Sequence, residues 1–484
     1  MSEKDGNKDG NKENLILCSE RPDDVSWDIE VDVLVIGGGG CGLIAALAAA
    51  QKGAEVFVVE KEKAAGGNTS LSQAMVPAAG TTSQREAGVE DSVELMTKDI
   101  LEKNKKGSDP DLTRHVARES ARLVEWLNDS LGIRLELVTE FLYPGHTQYR
   151  IHANQTKKGA HLVNDLLQAA SRLDNIDIAY NAPAKRLVTT RNGTVLGAEV
   201  VIEGVGKNLA RAKKVILALN GFGANREMLA KYIPEMKDAY YFGHEGNTGE
   251  GILWGEALGA ALDCMGAYQA HGSVTYPHGT LLTYVTVSMG GYHVNLDGKR
   301  FVNEYHGYSE HALDVLAQRE GVAIAVFDGS IYRTIEDYED FQQCIRMGAI
   351  RGFDTIRDLA ASFRLPVEET VATHETFLKA ARGEAKDPLG RQEFGKPLEA
   401  PLYGVKVTGA LFHTQGGLKI NKQAQVIRED GTPIPNLYAG GGTAAGFSGK
   451  AGPGGYLSAN GLLAALVLGK IAGEKAAEAA MGQG

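Results

Sequence analysis

One short run constrains this chain more than any other: Gly37-Gly38-Gly39-Gly40-Cys41-Gly42, directly after the apolar stretch VDVLVI at 31–36. A buried strand that ends on Gly-x-Gly-x-x-Gly and turns into a helix is the dinucleotide-binding turn of a parallel α/β sheet. Gly37 permits the tight turn, Gly39 lets the backbone approach a pyrophosphate, and Gly42 lets helix and strand pack closely. The helix N-terminus then offers unpaired N–H groups and positive potential to the phosphates. LIAALAAAQKG supplies the helix and AEVFVVE the next strand, which ends at Glu60, 18 residues beyond Gly42. A carboxylate there can accept from ribose hydroxyls. Together these features predict a bound adenine dinucleotide, and by themselves leave FAD and NAD both open.

At 484 residues the chain exceeds one ordinary hydrophobic core. Helical periodicity runs from 92 to 131 and from 159 to 173, and strands are expected at 176–180, 184–189 and 195–202, broken by Asn192-Gly193. AKKVILAL at 212–219 reads as a further buried strand that runs into Asn220-Gly221-Phe222-Gly223. Beyond it the chain becomes more aromatic and carries most of its histidines, until the glycine-rich apolar pattern returns near Pro435 and ends in a helix. The expectation is an α/β fold. A Rossmann-like, glutathione-reductase-like nucleotide domain, 29–235 and 400–484, is interrupted by an α+β substrate or capping domain at 236–399. The polar run over 1–28 is expected to be a disordered extension.

A net charge of −11 gives no basic field for nucleic acid or an anionic membrane. Cys18, Cys41, Cys264 and Cys344 are scattered without a CxxC, which argues against a disulfide framework, a zinc site or an iron–sulfur cluster. No export signal and no run of 18 apolar residues is present, so no membrane span and a cytoplasmic location are expected. Tyr143, His146, Tyr149 and His152 cluster in LYPGHTQYRIH without metal-ligand spacing. No metal is expected, and the cluster reads as pocket lining, with Tyr149 as a hydroxyl donor.

The run from VLVIGGGGCG to EKEKAAGGNTSLSQ resembles the flavoprotein family that contains fumarate reductase and the 3-ketosteroid dehydrogenases. Four later runs match it in order: ALNGFG at 218–223, DGKRFVNE at 297–304, HTQGGLKIN at 413–421 and IPNLYAGGGTAAG at 434–446. The resemblance implies FAD as cofactor. It implies that Glu60, Lys61, Gly67, Asn68, Thr69, Ser70, Gly221, Gly442, Leu457 and Ser458 join the glycine loop in holding it. It further implies hydride exchange between the flavin and a carbon of an activated C–C bond, with a proton exchanged at the neighbouring carbon.

Fumarate reductases of this family have an arginine shortly after RFVNE that delivers the proton, and another in the C-terminal loop that clamps a carboxylate. Tyr308 stands at the first position, and the second falls in Ala451-Gly452-Pro453-Gly454 or its neighbours. Both departures are similar to the 3-ketosteroid dehydrogenases, where a tyrosine handles the proton and the last glycine N–H of an AGPG turn holds the ketone oxygen. Lys450 stands where that pattern has a tyrosine. The resulting expectation is a dehydrogenase that introduces a double bond next to the carbonyl of a cyclic ketone. Tyr308 would be the base, with Gly454, Lys450 or Tyr149 as oxyanion donors and His413 as a substrate contact. The alternative is reduction of an activated double bond in an enone or an unsaturated monocarboxylate, with Arg150, Lys406 or Lys450 available to a carboxylate. Either way, a small-molecule ketone or enone and an external electron acceptor or donor are the partners. His271, Tyr276, His278 and Tyr284 suit a neutral oxygen in an apolar cavity.

Overall fold

The computed structural model describes residues 15–19, 25–140 and 142–482. Two compact units emerge: Met1–Ile233 with Gly243–Tyr268 and His413–Gly484, and Pro234–Phe242 with Gln269–Phe412. The sequence pattern places the boundaries at 235/236 and 399/400. The segment 243–268 instead folds with the first unit, where Leu262–Asp263 pairs antiparallel with Gly417–Leu418. Residues 400–412 fold with the second, because the long strand Leu402–Thr414 is one of its central members.

The first unit is built on a nine-stranded sheet. Val56–Val59 and Gly206–Leu217 flank Ile29–Ile36 in parallel, and Ile176–Ala179 continues the sheet beyond Val56–Val59. Gly206–Leu217 changes role along its length. Its first half pairs antiparallel with Val195–Ile202, and its last residues pair in parallel with Pro433–Ala439. That second pairing joins the end of the chain to its beginning, as the returning glycine-rich pattern predicts.

The helix Gly40–Gln51 is buried at every position except Gln51. A helix apolar all round must be covered on every side, and here the long helix Asn460–Ala480 closes one flank. Small residues make that contact close: a Cβ on Gly469 would lie 2.5 Å from Cys41 O, and one on Gly473 2.2 Å from Ala45 O.

The extension is only partly what the sequence predicts. Ile16–Ser19 is a strand, parallel to Leu187–Thr190, with Ile16 buried and Cys18 outward. Four residues between charged runs suffice because the neighbouring strand offers a free edge to pair with. The rest of the predicted extension, 1–14 and 20–24, lies outside the described residues.

In the second unit Leu402–Thr414 pairs antiparallel with Val322–Asp328 and Arg351–Phe353, and in parallel with Tyr240–Tyr241. Helices Glu339–Arg346, Ile356–Ser362 and Val367–Ala381 bury Phe341, Leu359 and Phe377 into a core with Ile324, Phe327 and Val405. This is the α+β unit expected inside the nucleotide domain. Among the described residues no helix is long and apolar enough to cross a membrane.

Candidate active site

Backbone shape builds the nucleotide site. Gly37 sits at φ +110°, and a Cβ there would lie 2.4 Å from Ala218 O. A Cβ on Gly42 would lie 1.8 Å from Gly37 O, so only hydrogen fits at this position. Gly39, by contrast, has nothing nearer to such an atom than Gly66 O at 3.6 Å, which leaves room for a ligand to approach the backbone.

Distant segments converge on this loop. Gly39 bridges Gly66, the Gly38 N–H donates to Glu60 Oε2 at 2.6 Å, and the Gly40 N–H donates to Thr69 Oγ1 at 3.2 Å. Ser70 turns back to donate to Gly67 O, and Asn68 Oδ1 accepts from the N–H of His244 and the amide of Asn247. Lys61 pairs with Glu250 at 2.7 Å. On the far side Gly221 and Gly442 pack around Asn220, which itself sits at φ +65°. A side chain on Gly221 would meet Thr414 Oγ1 at 2.1 Å, and one on Gly442 would meet Asn220 Oδ1 at 2.2 Å. Cys41 packs beneath Gly440, and burial pushes its thiol up to about 12, which disfavours the reactive thiolate.

The start of the last helix adds a signal the sequence reading missed. Asn460 is fully buried, yet neither its side-chain oxygen nor its nitrogen has a hydrogen-bond partner. Buried polar groups are rarely left so, and a polar ring edge of a bound cofactor would satisfy both. Leu457 and Ser458 lie buried just before it, with Ser458 O accepting from His146 Nε2 at 2.9 Å. Open backbone at Gly39 and Gly67, donors at a helix start and an orphaned buried amide fit a flavin dinucleotide.

Beside that helix start stands His413. Gln415 Nε2 donates to its Nδ1 at 3.0 Å, and Ser448 in turn donates to Gln415 Oε1 at 2.8 Å. The amide therefore sets the tautomer and leaves the proton on Nε2. Burial holds this imidazole down to about 4, so at neutral pH it is an uncharged donor. Tyr456, absent from the sequence-predicted set, packs edge-on against it at 5.4 Å, and its hydroxyl accepts from the Gly461 N–H. Burial raises this phenol to about 12. Its only sequence signal was its place immediately before Leu457-Ser458.

The second unit carries its own aromatic group. Tyr308 stacks on His271 with ring centroids 5.2 Å apart, and Tyr284 meets Tyr308 edge-on at 5.5 Å. His271 also stacks on Phe412, and Phe412 on Phe242. Burial drives His271 down to about 3 and raises Tyr284, so both are neutral. Arg300 and Arg391 are not free to clamp a carboxylate. Arg300 pairs with Glu304 and Asp387, and Arg391 is bound by Glu304 and three backbone carbonyls.

Several expected site residues lie in other roles. Lys450 is exposed and ion-paired with Asp263 at 2.5 Å, so it offers no free charge to an enolate. Tyr149 is 37% exposed. Arg150 is buried between Asp91 and Asp99, and His152 is held by Thr81, Ser83 and Arg150 O, which makes the 143–152 run chiefly packing. Lys406 lies over the Tyr276 ring, while Tyr276 and His278 face outward. Gly454 sits exposed in the turn that Pro453 O closes onto the Tyr456 N–H. No metal was expected from the sequence, yet His306, His311 and Asp314 bring three possible ligand atoms within 4.8 Å of one another.

A glycine nest on a parallel sheet, closed by a helix start with an orphaned amide and flanked by neutral imidazole and phenol groups, defines the class of flavin-dependent oxidoreductases. The model of the FAD binding domain family matches residues 32–456, and the chain belongs to that family of FAD-dependent enzymes. It is 31% identical over 460 residues to a probable fumarate reductase of Shewanella frigidimarina, covering 93% of this chain and 75% of the relative. It is 30% identical over 421 residues to the urocanate reductase of Eggerthella lenta, covering 85% and 69%. Its fold is similar to that of a 3-ketosteroid Δ4-(5α)-dehydrogenase of Rhodococcus jostii solved with 4-androstene-3,17-dione. That match has a TM-score of 0.74 and 25% identity, over 95% of this chain and 99% of the other.

Proposed function

We propose that this enzyme reduces the activated C=C bond of an α,β-unsaturated carbonyl compound whose activating group carries no charge, an enone rather than a dicarboxylate. The relatives named as reductases of fumarate and urocanate support the reductive direction over the dehydrogenase expected from the sequence. The observation that carries the choice of substrate is the donor set. His413 is a neutral N–H donor oriented by Gln415, and Tyr456 beside it is a neutral phenol. Such donors strengthen as negative charge develops on a carbonyl oxygen, without demanding a permanent anion.

Gly37, Gly39 and Gly42, with Glu60 and Thr69, would hold the FAD, which when bound would supply hydride chemistry at the β-carbon with electrons from an external donor. Tyr308 gives its hydroxyl proton to the α-carbon, and the flat face of His271 fixes the orientation of its ring. Desaturation of the matching saturated ketone is the same chemistry reversed. Tyr308 standing where the fumarate-reductase pattern has an arginine favours it as the second reading.

Anaerobic mixing decides both points. Reduced enzyme should be reoxidised rapidly by cyclic enones and slowly by fumarate or acrylate. Rapid reoxidation by an acid and by no enone would overturn the substrate class. Bleaching of oxidised enzyme by a saturated cyclic ketone, faster than the enone reaction runs, would reverse the assigned direction.

A further inference from the structure

Beside His271 the second unit contains three further histidines, His293, His306 and His311, that the proposed chemistry does not use. His271 lies on Gly266–Thr275 and His293 on Tyr292–Val294. His311 opens the helix His311–Leu316, and His306 ends the turn Glu304–His306. His293 Nδ1 and His311 Nε2 are 2.5 Å apart. His311 Nδ1 lies 3.9 Å from Asp314 Oδ2, and the same oxygen is 3.2 Å from His306 Nε2. At the inner end the backbone beside His271 is pressed on this row: a Cβ on Gly272 would lie 2.6 Å from His311 Cδ2. The inner members are buried, whereas the His306 and Asp314 side chains are 30% and 34% exposed. The row therefore runs from the backbone beside His271 to side chains that reach the protein surface.

The geometry of this row suits the passage of a proton. His293 Nε2 and His311 Nδ1 are buried nitrogens without a hydrogen-bond partner, as is His146 Nδ1 in the first unit, so each of the two histidines keeps one ring nitrogen open beside the one it shares. A neutral imidazole accepts at one nitrogen and donates at the other, the property a proton carrier requires. The neighbouring Glu304 is ion-paired with Arg300 and Arg391 and so is already engaged outside the row.

We propose that His293, His311 and the His306–Asp314 pair form the path by which the proton of each turnover travels between the surface and the His271–Tyr308 pair. The inference rests on Tyr308 as the proton donor. In reduction the Tyr308 O–H bond breaks as the α C–H bond forms, and the tyrosinate is reprotonated along this row, one proton entering from solvent per double bond reduced. Where no direct contact joins two members, a ring rotation or a bridging water closes the gap. Desaturation runs the same path outward.

The test uses the flavin-loaded enzyme with its best enone. His293→Gln and His311→Gln fill similar space but cannot pass a proton. Each should slow turnover at least about tenfold and raise the solvent deuterium isotope effect, with FAD content and KM near wild type. His306→Ala, at the exposed end, should be slowed and partly restored by added imidazole. Wild-type turnover and an unchanged isotope effect in both glutamine variants would overturn the path. If those variants fail to retain FAD, His306→Ala and Asp314→Asn decide instead, and an unchanged rate in both overturns it. Tyr308→Phe separates the two levels. A slow Tyr308→Phe with normal histidine variants removes the path alone, whereas a normal Tyr308→Phe, or no turnover of any carbonyl compound, removes the proton donor and the path together.

Discussion

The glycine nest and the histidine-tyrosine cluster are built in opposite ways. In the nest the backbone does the work. Gly37, Gly42, Gly221 and Gly442 each exclude a side chain because another part of the main chain or a short polar group occupies its space. In the second unit side chains make the cluster, from His271, Tyr284 and Tyr308 on separate elements. A backbone site tolerates almost no substitution, since no rotamer can relieve a clash with a carbonyl. A side-chain site can lose one member and keep its shape. The first should therefore fail as a unit, the second by degrees.

The largest effect is expected at Gly42→Val. The new Cβ would overlap Gly37 O at 1.8 Å, and overpacking against main chain cannot be absorbed by repacking. The purified variant should carry less than about a tenth of the wild-type flavin absorbance and melt at a lower temperature. A variant that retained full flavin would break the distinction between the two regions.

Tyr308→Phe probes the other kind of site. It should keep its flavin and its melting temperature and lose about 100-fold in turnover, the usual range for a missing acid. A rate near wild type would make Tyr308 a wall of the cluster.

Acid sensitivity is a property the two regions share, and its sign follows from burial. His413 and His146 in the first unit are each depressed to about 4. Unfolded, they titrate near ~6.5, so between that value and 4 the unfolded chain binds more protons and stability falls as the pH falls. At pH 5 each such histidine lowers stability by ~2 kcal/mol relative to neutral pH. Denaturant melts between pH 7 and 5 should show this slope, and His146→Asn should flatten it. A His146→Asn slope equal to wild type would mean that His146 is protonated in the folded state.

These contrasts also explain what could be read in advance. The nest was legible because its glycines are obligatory at fixed spacing, and Glu60 follows at the length of one helix and one strand. The division of the chain was legible in outline only. Strand Leu402–Thr414 takes its partners from 240–241, 322–328 and 351–353, and no local pattern announces such pairings. Ile16–Ser19 was missed because a four-residue strand is defined by its neighbour more than by itself. The order His293, His311, His306 exists only in space. Each residue is locally unremarkable, and none was singled out.

Lys450 is the sharpest case, because motif reading placed it at the chemistry and its contacts do not. Its position before Ala451-Gly452-Pro453-Gly454 implied an oxyanion donor, but the ammonium is 63% exposed and faces Asp263, 187 residues away in sequence. An exposed ion pair of this kind contributes ~0–1 kcal/mol. Lys450→Gln should accordingly change kcat/KM for an enone by less than about twofold and leave flavin content intact. The smallness of the effect is informative, since a neutral donor set of His413 and Tyr456 needs no cation nearby. A tenfold loss, with flavin retained and Asp263→Asn without effect, would show Lys450 leaving its partner for the substrate and would reopen the case for a charged activating group.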